Sequence, residues 1–546
     1  MSAAKQSEAG ERERCAGRSH SRVGVRPETE TFRQHDPASF TRMSALSDAI
    51  ARSFATGEPE RQALSPLRAL GRRQLSGFEV LAQSVATTAP AVSMVVLPVT
   101  MFTHQMLLSG LITIVVATVV VSLIAVCVSQ FTRRMAAAGG LYSFVFQGLG
   151  TRAALTAGVA MLTKYVGSAV MTLYHGGQAV IATLGFFGLE LREPAERLLV
   201  YAGIAIVILA CLVRGVRFAA LAILAVESCS LLFIVGLMIV TGAGGQHAAV
   251  PPSDSAYGPL LMTLAAVFAL AGFESATFFG PEAKRPLATV TRTVMLTPMI
   301  CGALFIFSAW AAWSGRTDTL VNAYLHGTST GVYPAVVIAL NLGLGTSWLA
   351  SAMASSNAAS RLLYSMGIER VVPRLFARVH RSYRTPYAAL AVIVCAVCVG
   401  AATFGIVGKS TGFGHVQLIA RTAVVAAYVL VAVASVRFLS RIGEHTPLVL
   451  VAGVAGSAAG GIVLAYMLFV NVAHGFAMVP TVVLTLLLSG SAWQLYLRWR
   501  HPASLRSMGV FDTAETDDVL PGAGVFATDA AGNLALTAAG RTPGSR

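Results

Sequence analysis

The amino-acid sequence predicts an all-α membrane protein with twelve transmembrane helices. Apolar residues make up 55% of the 546 positions and charged residues only 12%, which excludes an ordinary soluble globular protein. Apolar runs of roughly 20 residues, long enough for a helix to cross the hydrocarbon core, recur from residue 78 to residue 497. Arg and Lys concentrate in every second connection between these runs, as expected for a chain that crosses a membrane repeatedly.

The predicted helices divide the chain into four regions. We expect a disordered cytoplasmic tail over residues 1–75, a ten-helix core over 76–441, two further helices over 442–498 and a second disordered cytoplasmic tail over 499–546, since both ends are polar. The predicted spans are 78–102, 107–130, 153–185, 198–213, 219–242, 259–280, 291–313, 333–360, 387–407, 413–438, 446–470 and 476–497.

The positive charges predict the orientation of these spans. Arg133 and Arg134 follow the second span and Arg214 and Arg217 follow the fourth, whereas the connections on the other side contain few basic residues. Because basic loops stay on the cytoplasmic side, we predict a multi-pass protein of the cell membrane, whether an inner or a plasma membrane, with both termini cytoplasmic. The net charge of +15 is therefore a topology signal, and no nucleic-acid partner is expected.

Helix-breaking residues interrupt the first and the sixth span. Pro90 follows Thr88-Ala89 in the first span, and Gly272 lies in the middle of the sixth. Proline has no amide hydrogen and its ring opposes the preceding helical turn. Unwound backbone at membrane depth is tolerated only where it lines a cavity or is buried in protein. The two breaks therefore predict a binding site between these spans.

The cysteines and histidines predict neither a metal site nor an enzyme. Cys395 and Cys398 form a C-x-x-C pair, but no second thiol pair or nearby His follows. His175, His415 and His474 are isolated in different spans or loops. We expect no metal, no cofactor, no disulfide and no catalytic activity.

Small residues in the eleventh span predict close helix packing. Gly453, Gly456, Gly460 and Gly461 have GxxxG-like spacing, which lets two helices approach closely. Packing within a monomer and packing in a homodimer both account for this pattern.

Several segments in order resemble the amino acid-polyamine-organocation superfamily of secondary transporters. They are Ala82-Gln83-Ser84-Val85 with Thr88-Ala89-Pro90-Ala91 in the first span, Ala138-Gly139-Gly140-Leu141-Tyr142 after the second, Phe268–Ser275 with Pro281–Pro286 in and after the sixth, and Ser360–Gly367 with Val372–His380 at and after the end of the eighth. The resemblance implies a five-plus-five inverted repeat in which spans one to five match spans six to ten. It also implies a substrate site between the broken spans, lined further by spans three, eight and ten.

The same resemblance implies a secondary active transporter that moves amino acids across the cytoplasmic membrane. Its expected partners are an amino acid, a proton and the lipid membrane, with coupling by protons or by exchange. An alternative is a polyamine or organic-cation carrier, although Lys164 and Arg421 within the spans would repel a polycation. A transporter-like nutrient sensor is the other alternative.

The broken helices suggest which residues contact the substrate. Helix N-termini favour negative charge and helix C-termini favour positive charge, so two broken helices match a zwitterionic amino acid. The resemblance implies that Phe268 is an aromatic gate, whereas an ordinary apolar Phe is the alternative reading. The candidate substrate-binding residues are Thr87, Thr88, Ala89, Pro90, Ala91, Ser93, Lys164, Phe268, Ala269, Ala271 and Gly272.

Few ionisable residues lie within the apolar spans. A Lys or Asp at mid-helix costs about 2.5 to 3.5 kcal/mol on insertion scales, so such residues normally face a cavity or a partner. Glu274 is predicted to bind the coupled proton or to be a structural carboxylate. Lys164 is predicted to provide the coupling charge, to meet a substrate carboxylate, or to form an ion pair with Glu227 or Glu274. Arg421 and Glu227 are interpreted as structural.

Overall fold

A computed structural model describes residues 66–71, 74–241, 258–408, 411–444, 446–473, 477–512, 525–528 and 534–537. Within these residues, 12 helices are long and apolar enough to cross a membrane, so the predicted number of spans is confirmed. The described chain is nearly all helical. It adds one pair of antiparallel strands, β1 (Val525–Thr528) and β2 (Leu534–Thr537).

Two of the spans are interrupted and ten are continuous. Span 1 comprises Gly77–Thr88 and Pro90–Thr103, and span 6 comprises Gly258–Leu270 and a 3₁₀ helix, Phe273–Glu282. The continuous spans are Leu107–Thr132 (2), Thr151–Phe186 (3), Pro194–Val213 (4), Val216–Thr241 (5), Pro286–Trp313 (7), Pro334–Ile368 (8), Tyr387–Val407 (9), Thr411–Ile442 (10), Pro447–Ala473 (11) and Met478–Arg500 (12). Shorter helices are Pro66–Leu70, Leu141–Leu149, Asp318–His326, Gly327–Thr330, Arg374–Ala377 and Pro502–Ser507.

Span 1 changes conformation at Ala89. Ser76 caps its first half in a capping box with Glu79. Ala89 has φ 46° and ψ 63°, the left-handed region that a residue with a Cβ seldom adopts. Pro90 then starts the second half, a position where its missing N–H has no intrahelical partner to lose. Backbone strain of this kind persists where surrounding structure holds it, often at functional sites.

Five spans form the interior of the bundle. In their most apolar stretches, spans 1 and 6 are each 83% buried, span 3 is 78% buried and spans 8 and 10 are each 61% buried, whereas span 12 is 17% buried. Large apolar side chains such as Leu232 and Phe469 are exposed on the outer spans. This distribution fits a polar-lined interior surrounded by a lipid-facing ring.

The folded part of the chain extends beyond the predicted tail boundaries at residues 75 and 499. Residues 66–70 form a short helix, and Leu67 and Leu70 bury against Tyr364. At the other end, residues 501–512 fold onto the same side of the bundle. Composition did not reveal these contacts, because a few side chains with buried partners suffice to order a segment. Residues 1–65 lie outside the described part of the chain.

Glycines of span 11 pack against span 10 of the same chain. A Cβ on Gly453 would lie 2.3 Å from Val436, and a Cβ on Gly460 would lie 2.6 Å from Val429. Only glycine permits helices to approach this closely. Packing within the chain therefore explains Gly453 and Gly460, whereas a Cβ on Gly461 would meet no atom within 4 Å among the described residues.

Candidate functional site

A cavity of about 370 Å³ lies at the breaks of spans 1 and 6. This volume is in the range of small-molecule sites. Spans 3, 8 and 10 and the helix Asp318–His326 complete its walls. The described lining residues are Thr87, Thr88, Ala89, Val92, Ser93, Val96, Leu97, Ser168, Met171, Thr172, His175, Ala265, Phe268, Ala269, Ala271, Tyr324, Trp348, Ser351, Phe413, Gln417 and Arg421.

The hydroxyls of span 1 bond to the backbone around the break. Thr88 Oγ1 donates to the Val85 carbonyl at 2.6 Å, and Ser93 Oγ donates to the Thr88 carbonyl at 3.1 Å. Thr87 Oγ1 donates to the Gln83 carbonyl at 2.7 Å. Carbonyls near the break are thereby satisfied away from water. Each hydroxyl oxygen keeps acceptor capacity for a ligand N–H.

Gly272 allows the two broken helices to touch. A Cβ at this position would lie 2.9 Å from the backbone nitrogen of Thr88. A side chain there would push the two breaks apart. Ser84 Oγ also donates to the Phe273 carbonyl at 3.0 Å, which connects the first half of span 1 to the second half of span 6. The breaks are therefore held next to each other.

Lys164 and Glu274 form a buried ion pair behind the cavity lining. Lys164 Nζ lies 3.0 Å from Glu274 Oε1. Tyr165 OH donates to the same oxygen at 2.9 Å, and the Tyr428 OH at 2.8 Å and the Gly272 N–H at 3.0 Å donate to Glu274 Oε2. Four donors therefore satisfy this carboxylate, and one of them neutralises its charge. The cluster joins spans 3, 6 and 10.

Arg421 supplies a permanent charge to the cavity lining. Phe413, Gln417 and Arg421 follow one another at four-residue spacing on span 10, so they share one helix face. The guanidinium carbon of Arg421 lies 5.8 Å from the centroid of the Phe268 ring, within the range of a cation–π contact. Its Nε is buried and has no hydrogen-bond partner among the described residues.

Three aromatic rings, those of His175, Trp348 and Phe413, form one wall of the cavity. The His175 ring stacks on Trp348 with centroids 4.9 Å apart, and Phe413 lies edge-on to His175 at 5.4 Å. His175 follows Lys164 by eleven residues on span 3, which corresponds to about 16 Å along a helix. We call the side of the bundle where the described chain begins and where span 12 ends the termini side. The Lys164–Glu274 pair therefore lies between the termini side and the cavity.

Glu227 on span 5 is a second buried carboxylate near the break. Ser347 Oγ donates to its Oε1 at 3.0 Å, and the backbone N–H of Ala91 lies beside its carboxylate. Its Oε2 has no hydrogen-bond partner among the described residues. The start of the second half of span 1 therefore lies next to a protein carboxylate.

A chain of buried polar side chains, here called the polar tie, closes the termini side. Arg361 Nε and Nη2 donate to the two oxygens of Glu282, each at 3.0 Å. Arg361 also donates to Asn357, whose Nδ2 donates to Gln83 Oε1 at 3.1 Å. Asn357 follows the cavity residue Trp348 by about 14 Å along span 8. The polar tie joins spans 1, 6 and 8 on the termini side of the cavity.

Two carboxyl groups hold residues 501–512 against the termini side. Asp512 Oδ1 accepts a hydrogen bond from Ser143 at 2.9 Å, and Glu369 accepts from Tyr142 OH at 2.6 Å and from the Gly509 N–H at 2.8 Å. Burial raises the pKa of Asp512 to about 6. Burial and the nearby charge of Asp512 raise the pKa of Glu369 to about 8.

The structure brings most of the predicted substrate-binding residues into one cavity. Those in the lining are Thr87, Thr88, Ala89, Ser93, Phe268, Ala269 and Ala271. Those outside the described lining are Pro90, Ala91, Gly272 and Lys164, together with the predicted coupling residue Glu274. Of the three roles predicted for Lys164, the structure shows the ion pair with Glu274.

The resemblance implied that spans 8 and 10 line the site, but sequence reasoning did not identify which of their residues do so. Arg421 was interpreted as structural, yet it faces the cavity beside Phe268. The regular spacing of Phe413, Gln417 and Arg421 was the available signal. Trp348 carried no comparable signal, because an aromatic residue in an apolar helix is most often part of the core.

Comparisons with known proteins agree with this architecture. The family model described as amino acid permease matches residues 79–508. An uncharacterized transporter of Rhizobium meliloti (strain 1021) is 28% identical over 312 residues, which cover 53% of this chain. The match spans 64% of the length of that relative, less than two thirds of it.

Proposed function

Because the chain belongs to the amino acid permease family, a family of membrane transporters, we propose that it is a secondary active transporter that moves amino acids across the cell membrane. The observation that carries this proposal is the cavity at the breaks of spans 1 and 6. Transport is coupled to protons or proceeds by exchange in this proposal.

The cavity offers both charge poles that an α-amino acid needs. Ala269 and Ala271 lie at the C-terminal end of the first half of span 6, where carbonyls carry partial negative charge and attract an ammonium group. Arg421 offers a carboxylate a charge-assisted hydrogen bond. An organic polycation fits less well, because it would bring further positive charge next to Arg421.

The proposed mechanism is alternating access around this cavity. A five-plus-five inverted repeat, with spans 1 to 5 matched by spans 6 to 10, is supported by the interruption of spans 1 and 6 at corresponding positions. Release toward the termini side requires the polar tie between Arg361 and Glu282 to separate. The cavity would then be accessible from the side opposite the termini in one conformation. After the polar tie separates, it would be accessible from the termini side in another.

We place proton coupling at the pair Lys164 and Glu274. Glu274 connects span 6 to Lys164 and Tyr165 on span 3 and to Tyr428 on span 10. Protonation of Glu274 would remove the charge that attracts Lys164 and would weaken these connections. Proton occupancy would thereby change the packing of helices that also line the cavity.

Uptake into proteoliposomes tests the proposed function. The purified chain is reconstituted and supplied with a panel of labelled amino acids and, in a separate arm, with putrescine as an organic dication. Accumulation of at least one amino acid, absent from liposomes without protein, is the expected result. Transport of putrescine alone would favour the organic-cation carrier, and no transport despite specific binding would favour the nutrient sensor.

The proposed orientation, with both termini in the cytoplasm, has its own test. Ser329 lies between spans 7 and 8, and Ser382 lies between spans 8 and 9, and both are exposed. In a background in which the native cysteines are replaced by serine, Ser329→Cys should react with an impermeant maleimide in intact cells. Ser382→Cys should react only after permeabilisation. The reverse labelling pattern would show that both termini lie outside the cytoplasm.

A further inference from the structure

The cavity lining contains a positive charge without a negative one to match it. Among the described lining residues, Arg421 is the one side chain that is charged at every physiological pH, and none is Asp or Glu. His175 and Tyr324 are the other titratable residues in the described lining. An empty cavity therefore has an excess of positive charge.

Neither buried carboxylate near the breaks compensates Arg421. Glu274 is already bonded to Lys164, Tyr165, Tyr428 and the Gly272 N–H. Tyr428 follows Arg421 by seven residues on span 10, about 10 Å along the helix, and no described contact joins Arg421 to this cluster. Within the described contacts, the Glu227 carboxylate faces span 8 and the break of span 1, not Arg421.

From this imbalance we propose that the substrate is an acidic amino acid whose side-chain carboxylate pairs with Arg421. The inference rests on the proposed function as an amino acid transporter and specifies its substrate class. A zwitterion of zero net charge leaves the filled cavity positive. A substrate of net charge −1 makes the filled cavity neutral, and an uncompensated charge at membrane depth is costly.

The surroundings of Arg421 suit a carboxylate. A guanidinium presents two parallel N–H donors along its edge, which match the two oxygens of a carboxylate. The Phe268 ring, 5.8 Å away, supports the guanidinium without using those donors. Gln417, one helical turn earlier on the same face, adds an amide donor. The α-ammonium group then remains for the carbonyls at the C-terminal end of the first half of span 6.

The test compares acidic amino acids with their amides in proteoliposomes. L-glutamate and L-glutamine, like L-aspartate and L-asparagine, have nearly the same shape and differ in one charge. Wild-type protein should take up the acidic member of each pair with at least tenfold higher efficiency. Arg421→Gln should lower the efficiency for glutamate on the order of 100-fold, because it removes one partner of a buried charge pair. The variant should therefore lose the preference for glutamate over glutamine that the wild type shows.

Two further variants make the outcome specific. Arg421→Lys keeps the charge without the planar fork, so its glutamate uptake should lie between those of wild type and Arg421→Gln. Arg192→Gln is the matched control, because Arg192 is 83% exposed in a surface pair with Glu190. It should transport like wild type. If Arg421→Gln fails to fold, heat protection of the purified wild type by glutamate and not by glutamine is the alternative measurement.

The possible failures are distinguishable. Transport of neutral amino acids without acidic ones would overturn this inference and leave the proposed function standing. Undiminished glutamate uptake by folded Arg421→Gln would also overturn it. Failure to transport any amino acid would remove both the inference and the proposed function.

Discussion

The two halves of span 6 each place an aromatic ring next to a buried arginine, but the two arginines have different partners. On the termini side, the guanidinium carbon of Arg361 lies 4.2 Å from the centroid of the Phe279 ring, and the guanidinium donates two hydrogen bonds to Glu282. In the cavity, Arg421 lies 5.8 Å from the Phe268 ring and faces no protein carboxylate within the described contacts. One guanidinium therefore holds helices together, and the other is the proposed partner of a substrate carboxylate.

The largest expected effect comes from breaking the paired arginine. Glu282→Gln leaves Arg361 buried without a counter-charge, which typically destabilises a protein by about 3 to 5 kcal/mol. Arg421→Met removes a charge that has no protein partner, so the free energy of unfolding should stay the same or increase. Thermal unfolding of both purified variants in detergent measures this difference. Equal losses of stability would show that the two arginines have the same structural role.

The second effect concerns the ion pair between Lys164 and Glu274. Glu274→Gln keeps the shape of the side chain and removes its charge, so accumulation driven by a pH gradient should collapse while downhill exchange survives. Lys164→Met should produce the same loss if the lysine carries the coupling charge. Uptake with and without an imposed gradient measures both. If both variants still accumulate substrate in a pH-dependent manner, the pair is not the coupling site.

A double variant separates coupling from folding in this pair. Each single substitution leaves one partner buried and unsatisfied, whereas Lys164→Met combined with Glu274→Gln removes both charges. The double variant should therefore be more stable than the sum of the two single losses predicts, by about 0.5 to 3 kcal/mol. Strict additivity would indicate that the two side chains do not interact in the folded protein.

The sequence was sufficient for the number of spans and for most residues of span 1 and span 6 in the cavity, because proline, glycine and apolar length are local signals. It left the partners of the buried charges open: Lys164 was given Glu227 or Glu274 as its ion-pair partner, and Arg361 and Glu282 were given none. Glu282 and Arg361 are 79 residues apart, and Lys164 and Glu274 are 110 residues apart. Arg421 was therefore interpreted as structural, like Glu227, although the absence of a carboxylate partner within the described contacts distinguishes it. Partner assignment depends on tertiary packing, which no local pattern encodes.

A smaller effect is expected on the docking of residues 501–512, where the carboxyl groups of Asp512 and Glu369 lie close together. The pKa values of Asp512 and Glu369 are raised to about 6 and about 8 from ordinary values of 3.8 and 4.5. The docked segment 501–512 therefore binds protons more tightly than the undocked one. Docking is strongest below these ordinary values and weakens as the pH rises toward 8.

Cysteine labelling measures this pH dependence. Met508 is 3% exposed when the segment is docked. Met508→Cys should react faster with a maleimide at pH 8 than at pH 6, after division by the rate of the exposed control Ser382→Cys at the same pH. Asp512→Asn removes one of the titrating charges and should flatten the dependence. A normalised rate that does not change between pH 6 and pH 8 would exclude this effect.

The smallest effect is expected from the aromatic ring above the unpaired arginine. Phe268→Ala removes the ring that supports Arg421 and the proposed contact to the substrate, and a cation–π contact contributes about 0.5 to 2 kcal/mol. Substrate affinity should fall severalfold while expression and thermal stability change little. Phe279→Ala is the matched comparison, because its ring supports an arginine that holds the helices together. It should lower thermal stability more than affinity. If Phe268→Ala instead lowers stability and leaves affinity intact, Phe268 is a packing residue and the two halves of span 6 do not differ in the way proposed.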